Sequence, residues 1–248
     1  GQGDPRFVPI DFEPFFNAGA PYEPVGPLGD FETDEGIPFQ LGETYGSFWW
    51  SGNTAASGTS TPQTLDLAVD LDGAQAVYMM INTAWGQRGP TSYLSVEFFG
   101  DQGAYHRHDL VGNVDVRDWR NTIWTNGLDP DGIATNVWSA TVPIWGAVRL
   151  DVQRFELPPE FETQTLESIV VTDTGRPDFQ RALIAGATVE LSPCKAAIDG
   201  DGDLTIFDFI EFQTLFVDRD PRADCDGNGI FNLFDFLAFQ IEFDGGCD

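Results

Sequence analysis

The sequence predicts a mainly β protein that ends in a small helical module. Three observations predict it. Apolar residues alternate with polar ones in several short runs between residues 41 and 192, the period of a half-buried strand. Gly and Pro, 27 and 16 in number, punctuate those runs, and no long helical period interrupts them. The C-terminal stretch 194–248 then carries one loop-and-helix pattern twice. The chain therefore divides into an extended N-terminal segment (1–40), a β-sandwich (41–192) and a helical module (193–248).

Each element has its own signal. Residues 1–40 are rich in Pro, Gly, Phe and acid, as in Phe7-Val8-Pro9-Ile10-Asp11-Phe12-Glu13-Pro14-Phe15-Phe16. No period marks a compact core element there. Yet phenylalanines left in water cost roughly 2 kcal/mol each, so the segment is expected to pack on its own sandwich or on a neighbour. Leu65, Leu67, Val69 and Leu71 alternate with Asp66, Ala68 and Asp70, a strand with one buried face. Asp72-Gly73 separates it from the run Ala76–Ile81, which reads as a hairpin. Leu94, Val96 and Phe98 mark the next strand. Val148, Leu150 and Val152 alternate, then the phase slips to Phe155 and Leu157, which predicts a bulge near Gln153-Arg154. Ser168–Val171 and Leu183–Leu191 supply further strands, and Ser192-Pro193 marks the boundary of the module. Many short strands of this kind build a sandwich or barrel.

The second copy of the C-terminal pattern is Asp224-Cys225-Asp226-Gly227-Asn228-Gly229-Ile230-Phe231-Asn232-Leu233-Phe234-Asp235. Oxygen-bearing side chains fall at places one, three, five, nine and twelve, with Gly229 at place six. That is the spacing with which an EF-hand-type loop surrounds a hard cation such as calcium. A glycine at place six permits the sharp turn. The first copy runs from Ala197 to Asp208. Ala197 stands where an Asp should open it, and starting at Asp199 instead would put Leu204 at the glycine place. With one carboxylate fewer, the first loop should bind more weakly, because affinity follows ligand charge and count.

The repeat continues past each loop, since Phe207–Gln213 aligns with Phe234–Gln240. Two such loops, each with its exit helix, resemble a type I dockerin over residues 194–248. The resemblance implies calcium ligands Asp224, Asp226, Asn228, Ile230 (carbonyl), Asn232 (through water) and Asp235 in the second loop. In the first loop it implies Asp199, Asp201, Asp203 (carbonyl), Thr205 and Asp208. It also implies that the module's ends lie close, which makes Cys194 and Cys247 a disulfide candidate. Such a closure stabilises by on the order of 4 kcal/mol. Cys225 is left as a buried thiol, the alternative partner of Cys194, or an intermolecular link. Separately, Leu166–Asp173 and Ala185–Val189 resemble the last strands of a galactose-binding-like jelly roll, without its ligand residues.

Forty acidic residues oppose 12 basic ones, a formal charge of −28, and residues 194–248 alone hold 13 acids against 3 bases. Such a chain repels nucleic acid and anionic membranes. No apolar run reaches the length of a transmembrane helix. The start Gly1-Gln2-Gly3-Asp4 suits a processed mature chain. With calcium loops and an acidic surface, it points to a secreted, cell-surface location. Only one lysine, Lys195, occurs.

Candidates for other chemistry are fewer. His106 and His108 share one strand face, which is half of a zinc site or, more commonly, an exposed strand pair. No nucleophile-elbow, zincin, Walker or dinucleotide pattern is present. The stretch Asp115–Asn121 mixes Trp, Arg and Asp, and Arg117, Trp119, Arg120 and Trp124 form the candidate ligand patch. The alternative is structural, with core tryptophans and arginines paired to acids. The expected function is an extracellular calcium-binding structural or assembly protein, associating with itself or another surface protein. A carbohydrate-binding module with an attachment tail is the alternative, and an enzyme is not expected. Metal would fold the loops, and Phe209, Phe212, Phe216, Phe236, Phe239 and Phe243 would pack on the sandwich or on a partner.

Overall fold

The computed structural model describes residues 4, 6–17, 26–44, 47–52, 62–86, 92–120, 125–174, 180–192, 196, 198, 204–225 and 227–245. The chain forms two compact units, Gly1–Leu191 and Ser192–Asp248. Several antiparallel β-sheets make up the first, and two helices dominate the second.

Twelve strands are described in the first unit: β1 (Phe7–Pro9), β2 (Asp30–Glu32), β3 (Pro38–Gln40), β4 (Trp49–Trp50), β5 (Gln63–Asp72), β6 (Ala74–Ala84), β7 (Leu94–Gly100), β8 (Tyr105–Leu110), β9 (Ala134–Val142), β10 (Gly146–Glu156), β11 (Thr165–Asp173) and β12 (Arg181–Leu191). One sheet has the order β1-β12-β6-β10-β9, with β4 also on β12. A second has the order β5-β11-β7-β8, and β2 pairs with β3 alone. The alternating residues of β5, β7 and β11 meet those of β6 and β12 in one cluster, so the two larger sheets share a core.

The central strand β6 is apolar on both faces. Val77, Met79 and Ile81 enter the shared core. Ala76, Tyr78 and Met80 point the other way, into a second cluster with Ile37, Phe39 and Leu41 of the β2–β3 hairpin. Two buried faces explain why this run lacks alternation. They also explain why Asp72-Gly73 is not the expected hairpin. Gly73 turns at φ +69°, but β5 pairs with β11, and β6 pairs with β12 and β10. The turn therefore leads from the edge of one sheet into the middle of the other. An alternating strand tolerates an edge, whereas β6 needs cover on both sides.

The N-terminal segment contributes to the core, contrary to its irregular sequence. Phe12 and Phe39 are each 1% exposed. Phe12 packs with Phe15 and Phe16 against the shared core, and β1 extends the first sheet beside β12. Gly186 of β12 lets the hairpin approach, since a Cβ there would sit 3.2 Å from Leu41.

The expected bulge at Gln153-Arg154 is absent, for β10 pairs regularly with β6 from Val152 to Glu156. The irregularity lies opposite Leu150/Asp151, where β9 skips Val137 in the register. The slip in the sequence is a change of face. Leu150 and Val152 pack under the hairpin, while Phe155 and Leu157 enter the shared core. On that inner face, Asp151 and Gln153 precede Phe155, and both are fully buried.

Those two polar residues close a gap. Beyond Met80, β6 and β10 splay apart, and residues 117–120 run between them. Thr83 N–H donates to the Arg117 carbonyl (3.0 Å), and Arg149 N–H donates to the Trp119 carbonyl (2.8 Å). The Gln153 amide bridges both backbone groups of Ile81, at 3.0 and 2.9 Å. Asp151 accepts from Asn82 (2.7 Å), from Asn136 (3.0 Å) and from the Arg117 fork (2.8 and 2.7 Å). Every acceptor site in this buried place is thus engaged.

The second unit contains α1 (Ile206–Asp218) and α2 (Leu233–Gly245). Thr205 caps α1 in a reciprocal box, accepting from Phe207 N–H while Asp208 accepts from its own N–H. Asn232 and Asp235 repeat the arrangement at α2 (2.8 and 2.7 Å). The phenylalanine cluster is internal to the module, not a docking face. Phe212 stacks on Phe239 at 4.2 Å and 15°, with Phe209, Phe216, Phe236 and Phe243 around them. Cys225 is buried in the same cluster, whereas Cys194 and Cys247 lie outside the described residues.

Removing one partner from a buried ion pair strands the other. Asp151→Ala should therefore cost about 3–5 kcal/mol of stability, read as a lowered denaturant midpoint with an unchanged slope. Arg117→Ala should cost a comparable amount.

Candidate metal centre

The second loop is shaped by its own side chains. Asp224, at the first place, accepts from the N–H of Gly229 at the sixth (2.8 Å). Gly227 and Gly229 adopt φ of +71° and +76°, values that a side chain disfavours. Asn228 accepts from Ile230 N–H (2.7 Å). The Ile230 carbonyl accepts from the Asn232 amide (2.8 Å), which leaves its second lone pair. Asp235, at the twelfth place and 0% exposed, accepts from Asn232 N–H through Oδ2.

Two atoms in this loop are unaccounted for. Oδ1 of Asp224 and Oδ1 of Asp235 are buried and accept no hydrogen bond. They belong to the first and last ligand places of the pattern. A carboxylate oxygen can only accept, so each lacks either a donor or a cation. Buried oxygens left in this state are costly, and an ion is one of the partners that satisfies them. The donor set of carboxylate, amide and carbonyl oxygens suits calcium over softer metals.

Asp226 lies outside the described residues, as do Asp199, Asp201 and Asp203 of the first loop. Among the described residues no group of three or more His, Cys, Asp or Glu side chains converges. Thr205 and Asp208 of the first loop occupy the same cap positions as Asn232 and Asp235, and Asp208 is likewise buried. The capping pattern Thr205-Ile206-Phe207-Asp208, repeated as Asn232-Leu233-Phe234-Asp235, is the sequence signal for these paired roles.

The candidate ligand patch divides. Arg117 turns inward to Asp151 and is structural. Trp119 and Arg120 are half-buried and meet Trp145, one of the chain's seven tryptophans, on the β9–β10 turn. The Trp119 and Trp145 rings lie edge to face at 5.6 Å. The Arg120 guanidinium sits over both, 5.6 and 5.3 Å from their centroids. Trp124 lies outside the described residues. Elsewhere, a cavity of about 310 Å³ adjoins the hairpin, but its cation Arg154 is committed to Tyr78, Glu156 and Glu190.

His106 and His108 face inward and are half-buried, rather than forming an exposed pair. His106 stacks on Phe98 at 6.0 Å, and His108 meets the edge of Phe155 at 5.6 Å and Asp115 Oδ2 at 3.8 Å. Burial, and secondarily His108, hold the His106 pKa below its ordinary 6.5.

Two outcomes follow from these geometries. Asp224→Asn and Asp235→Asn should each weaken calcium binding about tenfold or more, measured by calorimetry on metal-stripped protein. The His106 contribution to stability should be complete above about pH 6.5, where the unfolded ring is also neutral. It should be lost as pH falls through the lowered folded value. His106→Gln should flatten that limb of the stability–pH curve.

No protein-family model, curated protein or solved structure matches this chain, so its own geometry carries the functional reading.

Proposed function

We propose that this chain is an extracellular calcium-binding assembly protein of a cell surface or matrix, without catalytic activity. Its C-terminal unit is a dockerin-like connector, and its two larger sheets form a jelly-roll-like sandwich. The observation that carries the calcium reading is the pair of buried, unpartnered oxygens on Asp224 and Asp235, at the first and twelfth places of the second loop. A site built from several oxygens has a further consequence in an acidic module, where a bound cation offsets carboxylate repulsion. The first loop, opened by Ala197, is the weaker site.

The assembly reading is supported by the faces of α1 and α2 that do not point inward. Ile206, Phe207 and Ile210 are exposed, as are their counterparts Leu233, Phe234 and Leu237. Phe207 and Phe234 are 67% and 65% exposed. Apolar surface repeated in this way marks an interaction site more often than a solvated face. The partner is a second copy or another surface protein. The net charge disfavours nucleic acid. No helix among the described residues is long and apolar enough to cross a membrane.

A second reading, a polysaccharide-binding module with an attachment tail, is favoured by the Trp119–Arg120–Trp145 patch.

Calcium added to stripped protein should release or absorb heat, and chelation should melt the C-terminal unit before the β unit. Absence of both effects overturns the calcium reading. Particle size measured against protein concentration should rise only with calcium present. Phe207→Asp combined with Phe234→Asp should abolish that rise while calcium binding persists. Undiminished assembly of this variant would move the docking face elsewhere.

A further inference from the structure

Arg120 differs from the other arginines described in the β unit that face carboxylates. Arg6 pairs with Asp4, Arg107 with Glu97 and Asp109, Arg117 with Asp151, and Arg154 with Glu156. Among the described residues the Arg120 guanidinium forms no ion pair and donates no hydrogen bond. It rests on two indole rings instead. The chain carries 40 acids, so local carboxylates are not scarce. Beside it, the Nε1–H of Trp145 is buried and has no acceptor. The cluster therefore presents a guanidinium with up to five N–H groups and nothing accepting from them, beside an indole N–H that is buried and also unsatisfied.

A donor-only cluster matches an oxyanion. A guanidinium that lies over two rings keeps its edge N–H groups for a two-pronged bond to one planar carboxylate. The chain's charge of −28 opposes a densely charged polyanion but tolerates one monoanionic group at a time. Ile144 is 60% exposed next to Trp145 on the β9–β10 turn, and the indoles offer edges against which a sugar ring can lie. We propose that Trp119, Arg120 and Trp145 bind an isolated uronic acid residue of a polysaccharide whose other sugars are neutral. The carboxylate meets Arg120, and the ring lies along the indoles and Ile144. This assignment rests on the polysaccharide reading and names its ligand class. It is independent of the calcium loops, because all of its residues belong to the β unit.

The test is titration of the full chain, at fixed free calcium, with galacturonate, galactose and acetate. The readout is the indole N–H region of a ¹H–¹⁵N spectrum, with Trp145→Phe identifying the Trp145 resonance. Galacturonate should shift that resonance and saturate at a concentration about tenfold or more below acetate, and galactose should leave it in place. Arg120→Gln should weaken galacturonate binding about tenfold, with the indole resonances of tryptophans outside the cluster unmoved as the control for folding. Should Arg120→Gln fail to fold, Trp145→Phe supplies the second arm. It keeps an aromatic ring but shrinks the platform under the guanidinium, and should weaken galacturonate as followed by the Trp119 resonance. No response to galacturonate overturns the proposal. An equal response to acetate overturns the sugar assignment, and an equal response to galactose overturns the role of Arg120. Calcium heats measured on the same samples separate any of these failures from failure of the metal site.

Discussion

The β unit depends on hiding both faces of β6. A strand with Val77, Met79 and Ile81 on one side and Ala76, Tyr78 and Met80 on the other is stable only with apolar cover above and below. The second sheet covers one side. The β2–β3 hairpin, with Phe39 at its centre, covers the other. The phenylalanine-rich start of the chain thus acts as a lid for a core that the regular strands leave open, while β1 occupies the outer side of β12.

The same strand creates a second constraint. Where β6 and β10 part, their backbone groups need partners, since buried amides are rarely left without them. Gln153 and Asn82 supply those partners with side chains. Arg117 fixes the inserted segment by its bond to Asp151. The position of Trp119 and Arg120 follows from that insertion, because past the buried Asp118 they continue the inserted segment alongside β10. A structural ion pair and a candidate binding group are therefore neighbours in sequence with opposite duties.

Much of this was legible in the sequence, and the failures have physical causes. β5 and β7 alternate cleanly because one face of each meets the core. The run Ala76–Ile81 identified a strand but not its sheet, since a glycine turn with positive φ serves a hairpin and a sheet-to-sheet crossing equally. β1 to β4 span only two or three residues each, too few to show a period. In β10 the polar Asp151 and Gln153 on the inner face disguised a regular strand as a bulged one. The turn at Gly229 was legible because its spacing from Asp224 is local. Which helix face points inward was not, since α1 and α2 are apolar on both. Trp145 stood out as one of seven tryptophans, but its pairing with Trp119 and Arg120 did not, because those partners lie more than twenty residues away in the chain.

The stack of Phe212 on Phe239 has a last consequence. These two residues occupy equivalent places in the repeat, as do Phe209 and Phe236, whose rings also touch. Each copy therefore meets the other through the same residue, the arrangement of an isologous dimer interface about a twofold axis. The helical unit is built like two protomers fused into one polypeptide. Its packing is symmetric and its charge is not, because Ala197 opens one half where Asp224 opens the other. Under the calcium proposal, filling would start in the Asp224 half, with its twin set across a wall of aromatic rings common to both.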